Sequence, residues 1–179
     1  MLLALLALAL IVIVLGAPIA ARRLSRWRAE LRARELLRSC VNDEEWGMYR
    51  DLGFIRVAGR HARREIDRDR GARPAYAYLV YPHKPIVAYV PESGQLLSEY
   101  CVEFPDLNGT GGRHRLPASD DVLAKWMALT SDEDRVIRRA NMHLVGRQLD
   151  PARVRRDLWR LAEWERRRGN REQVSQSQQ

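Results

Sequence analysis

From Leu2 to Ala21 the chain has no charged side chain, and with Arg22 and Arg23 it turns abruptly basic. A helix rises about 1.5 Å per residue, so this stretch spans roughly 30 Å, the hydrocarbon thickness of a bilayer. A secretory signal would carry basic residues ahead of a shorter apolar core and small residues at both key cleavage positions. No such basic residue precedes the core, and cleavage after Ala20 or Ala21 would put Pro18 or Ile19 three residues before the cut. Residues 1–21 therefore read as an uncleaved transmembrane anchor, with Pro18 loosening only its last turn, near the interface.

The flank sets the expected orientation. Residues 22–38 hold seven arginines against Glu30 and Glu35, and the positive-inside rule keeps such a flank in the cytoplasm. The N-terminus is then outside and the rest of the chain cytoplasmic. Residues 22–40 read as a basic juxtamembrane helix with Leu24, Trp27 and Leu31 along one stripe. Arg22, Arg23, Arg26, Trp27 and Arg28 are the expected membrane-interface residues, suited to headgroups by charge and by the amphipathic indole.

Charge is unevenly spread. Residues 41–150 carry sixteen bases and seventeen acids, residues 151–179 carry eight bases and four acids, and the whole chain is +8. A nucleic-acid-binding domain concentrates positive charge on its folded body, because phosphate neutralisation supplies most of the affinity. Here the body is neutral and the ends are basic, a distribution better suited to the lipid bilayer and to a protein partner at the membrane than to nucleic acid.

Residues 41–169 read as one soluble α+β domain, large enough to bury a core. Asn42 with Glu45 forms a capping box for a helix through Trp46 and Tyr49 that Gly53 stops. Phe54 to Ala58 reads as a strand. "AYAYLVY", "PIVAYV" and "LSEYCVEF" are rich in Tyr and Val and joined by short turns, which predicts an antiparallel meander of about three to five strands. Tyr76, Tyr78, Tyr81, Tyr89 and Tyr100 fall here, and cross-strand aromatic packing is favoured over an RNA-stacking platform, whose basic glycine motif is missing. In the last strand Glu99, Cys101 and Glu103 share the face expected to be wet or partner-facing, opposite Tyr100, Val102 and Phe104. Three C-terminal helices follow. Ser119 is the expected cap of the first, and Thr130 or Ser131 of the second, which runs through Leu144 to Gly146. Pro151 starts the third, Gly169 ends it, and residues 170–179 read as a disordered polar tail.

"RHARREIDRDRGAR", Arg60 to Arg73, mixes both charges and reads as an exposed arm or loop. "PDLNGTGGRHRLP", Pro105 to Pro117, opens like a calcium loop but has Pro117 where a bidentate Glu is needed, and lacks the Gly-Lys-Ser/Thr ending of a phosphate loop. Arg113, His114 and Arg115 are the candidate anion-binding residues of this loop. "ALTSDEDRVIRRANMHL" resembles a helix-turn-helix only loosely, since its acidic cluster would oppose phosphate. Cys40 and Cys101 are too few for a disulfide framework or zinc site, and the four histidines show no metal-ligand spacing. No catalytic signature and no cofactor motif is present.

These observations favour a single-pass membrane protein with a cytoplasmic binding, scaffold or regulatory domain. The alternatives are a membrane-tethered enzyme with a site near Cys101 and His114, and a membrane-proximal nucleic-acid-binding protein.

Overall fold

The computed structural model describes residues 21, 23–60, 75–102, 104 and 115–176. The apolar run 1–20 lies outside these residues, as do Arg22, Glu103, Arg113 and His114. Among the described residues no helix is long and apolar enough to cross a membrane.

The fold is α+β, and among the described residues it is a five-stranded antiparallel sheet in the order β1-β2-β3-β4-β5 with four helices. Helix α1 covers residues 23–40 and α2 covers Asp43–Leu52. The strands are β1 (Ile55–Ala58), β2 (Ala77–Val80), β3 (Ile86–Val90) and β4 (Gln95–Cys101). Helix α3 (Ala118–Arg139), strand β5 (Asn141–His143) and helix α4 (Pro151–Gln176) complete the chain.

Local chemistry sets several boundaries. The Asn42 side chain accepts from the Glu45 amide at 2.8 Å while Glu45 accepts from the Asn42 amide at 3.1 Å, closing the expected capping box. Gly53 ends α2 at φ 83°, a left-handed conformation that costs a side-chain-bearing residue far more. Asp150 accepts from the Ala152 amide at 2.9 Å and Pro151 takes the first helical position, as expected.

Register explains the buried strands. Arg56, Leu79, Val87, Glu99 and His143 lie side by side across the sheet, so they share one face; Val57, Tyr78, Ala88 and Ser98 share the other. Helix α4 covers the first face, where Glu165 meets Arg56 and Asp157 meets the Tyr81 hydroxyl at 3.2 Å. Helix α3 covers the second, where Glu133 receives the hydroxyls of Tyr76 and Tyr78 at 2.6 and 2.9 Å. All four residues of β2 are buried as a result. The tyrosines pack edge-on in the core, Tyr78 against Tyr76 and Tyr100, with ring centroids 5.7 and 6.5 Å apart.

In its helices the structure departs from the sequence reading at four points. Ser119 does not cap α3; it is buried, and its hydroxyl donates to Glu30 at 2.6 Å and meets the Tyr49 hydroxyl at 3.0 Å. The break expected at Thr130 or Ser131 falls at Asp132, whose backbone is non-helical and whose carboxylate accepts from the Arg135 amide. The following helix stops at Arg139 rather than Gly146, because Asn141–His143 pairs with β4 as a strand. Helix α4 runs through Gly169 to Gln176, so residues 170–176 are helical. One glycine costs a helix only about 1 kcal/mol, and the Arg, Glu and Gln around it are good helix formers.

Candidate functional site

Three surface regions gather the residues singled out in the sequence. The first is the outer side of α1. Ala33 and Leu37 are buried against the domain, and Arg34 lies over the rings of Trp46 and Tyr49 at 5.6 and 5.9 Å. The first turns do not share this packing. Leu24, Trp27 and Leu31 are 47, 59 and 41 % exposed, one turn apart along the helix, and Arg23, Arg26, Arg28 and Arg32 beside them are exposed. Among the described residues none of these four arginines has a carboxylate partner. The structure thus packs the later turns of the basic helix against the domain while leaving its apolar stripe and charges open.

The second region is a cavity of about 430 Å³ between α1 and the β2–β3 turn, lined by Arg26, Glu30, His83 and Arg115. Arg115 is the one member of the expected anion triplet among the described residues. His83 adopts φ 56° in a tight turn held from beneath: Asp121 accepts its amide at 2.7 Å, and buried Lys125 donates to the Tyr81 and Lys84 carbonyls and to Asp121. Burial lowers the His83 pKa, with Asp121 opposing and Arg115 and Lys125 adding to the depression. Burial, followed by the charge of Glu30, raises that of Asp120 nearby. Glu30 accepts from the Ser119 hydroxyl and Asp121 pairs with Lys125, and Arg26 and Arg115 are the arginines of the lining.

The third region surrounds Cys101. Glu99, expected on a partner-facing surface, is fully buried: its carboxylate accepts the amides of Gly146 at 2.9 Å, Gln148 at 3.1 Å and Leu149 at 3.3 Å. The chain after β5 folds over that face and is tied down by this charge, which leaves Glu99 no surface for a partner. Cys101 is half-buried, and its sulfur accepts from the Gln148 side-chain Nε2 at 3.0 Å. Glu103 and His114 lie outside the described residues, so the enzyme reading is carried no further by geometry. A cavity of about 320 Å³ opens beside Cys101, lined by Val102, Phe104, Val136, Arg135 and Arg139.

Sequence reasoning missed β5. Its strand pattern is only three residues long and follows a helix without a turn signal, so neither periodicity nor composition marks it. Among the described residues no cluster of His, Cys, Asp and Glu could hold a metal ion. No known protein family, curated protein or solved structure matches this chain.

Proposed function

We propose that the chain is a single-pass membrane protein whose α+β domain is held at the cytoplasmic face as a binding or scaffold module. The observation that carries this reading is the state of α1: its packing face is locked into the core, while Leu24, Trp27 and Leu31 stay exposed beside unpaired arginines. An isolated domain gains nothing from keeping these apolar side chains in water. A helix that continues from a membrane-spanning run places Trp27 about 9 Å beyond Ala21, near headgroup depth, with guanidinium groups facing anionic lipid. Because Leu37 of α1 belongs to the hydrophobic core, the anchor fixes the orientation of the whole domain as well as its location.

Native thiols test the topology. Cys40 is exposed at the end of α1, whereas Cys101 is half-buried, so a Cys101→Ser chain carries one reactive reporter. A membrane-impermeant maleimide should leave Cys40 unmodified in intact cells and modify it after permeabilisation. Labelling from outside would reverse the orientation, and recovery of the chain in the membrane-free fraction would remove the anchor.

A further inference from the structure

Strand β5 is an edge of the sheet, paired on one side with β4. Among the described residues no backbone hydrogen bond occupies its other side. An open strand edge is a template for another strand, and folded proteins ordinarily blunt it with charge, bulges or a cover. Here two apolar side chains stand exposed beside it: Met142 is 66 % exposed and Leu144, which follows the strand, is 85 % exposed. Beside it the cavity between the end of β4 and the last turns of α3 has a floor of Val102, Phe104, Ala128 and Val136. Arg135 and Arg139 line it as well, and Arg138 stands nearby on the same helix.

Charge selects the occupant. Arg135, Arg138 and Arg139 have no carboxylate partner among the described residues, and two of them line the cavity beside the edge. Asp132 is the acid in the cavity, and it is engaged by the Arg135 amide. A second copy pairing β5 with β5 about a two-fold axis would set the same arginines against each other. An acidic strand would complement them.

We propose that the free edge of β5 is a strand-addition site for an extended acidic segment of a partner protein. Main-chain hydrogen bonds to β5 supply the pairing, and the carboxylates of alternate residues, which share the face turned toward α3, meet Arg135 and Arg139. This names the class of partner for the binding module proposed above, and so rests on that reading.

The test uses the full-length chain in neutral detergent and a fluorescein-labelled, end-blocked octapeptide of alternating Glu and Val, followed by fluorescence anisotropy. The Glu-Val peptide should bind saturably and at least about ten-fold more tightly than its Lys-Val counterpart. N-methylation of alternate backbone nitrogens should abolish binding in one register and spare it in the other, because only one set of N–H groups faces the strand. The Arg135→Glu, Arg139→Glu double variant should weaken binding at least about ten-fold with its thermal midpoint unchanged, while Arg155→Glu, Arg156→Glu on α4 should leave it intact. Equal effects of the two methylation registers, equal binding of the Lys-Val peptide, or insensitivity to Arg135 and Arg139 would each overturn the proposal. Displacement of the peptide by a single-stranded oligonucleotide, or a dimer of the chain that occludes β5, would overturn it too. Membrane attachment, read separately by fractionation of the double variant, is untouched by any of these failures.

Discussion

Glu99 carries a negative charge into the interior, and the three amides of residues 146–149 that surround it are the reason it can stay there. Glu99→Gln keeps the shape but turns one acceptor into a donor aimed at donors, so it should destabilise the fold by about 2 kcal/mol. A guanidinium melt measures that loss, and faster hydrogen exchange at Gly146, Gln148 and Leu149 would localise it. The buried phenols make a second expectation. Tyr78 and Tyr81 are held far above the ordinary value, both first by burial, then by Glu133 and Asp157 respectively. Their unfolded forms ionise near pH 10 while the folded forms keep the proton, so this contribution is intact below about pH 10 and falls as pH rises beyond it. The denaturation midpoint of Tyr78→Phe should therefore fall less steeply above about pH 10 than that of the unaltered chain. Alternation placed Glu99 and Cys101 on one face and Tyr100 on the other, and that much of the site was legible. What covers the first face was not, because the amides that hold Glu99 come from 47 to 50 residues away.

At the level of elements, short-range signals were read well and long-range ones poorly. The α2 capping box, Gly53, the hairpin turns of β2 to β4 and the Pro151 start all rest on interactions within a few residues, so the sequence displays them. Helix α1 shows the opposite case. Its arginines mark it as basic, yet Leu37 is fully buried and Glu30 reaches Ser119 across 89 residues, contacts that no local pattern announces. The helix is consequently part of the folding unit, and the expected domain start at residue 41 cuts through the core. Leu37→Ala in the full chain should cost about 2–5 kcal/mol, as removal of a fully buried leucine does. Leu36→Ala, one residue away but 51 % exposed, is the internal control and should shift the unfolding midpoint little. Equal effects of the two would mean that α1 is not packed as described. The same long-range logic explains β5: its three residues become a strand because β4 offers an edge.

For the whole molecule, the balance of charge makes the proposed placement at a membrane testable without disturbing the fold. The domain body is near neutrality while residues 22–38 hold seven arginines, so one flank supplies nearly all of the orientation signal next to the apolar run. Arg23, Arg26 and Arg28 are exposed and unpaired among the described residues, so Arg23→Gln, Arg26→Gln, Arg28→Gln should move stability by no more than about 0.5 kcal/mol. Topology should respond differently. Arg22, Arg32, Arg34 and Arg38 remain in the flank, so the triple variant should insert as a mixture rather than invert completely. With Cys101→Ser in the background, the impermeant maleimide should then label part of the Cys40 population in intact cells, where the parent shows none. The folded domain would be the same on both sides of the bilayer, because no contact within it depends on those three guanidinium groups. Retention of one orientation after the substitution would show that something other than flank charge keeps the domain on its side.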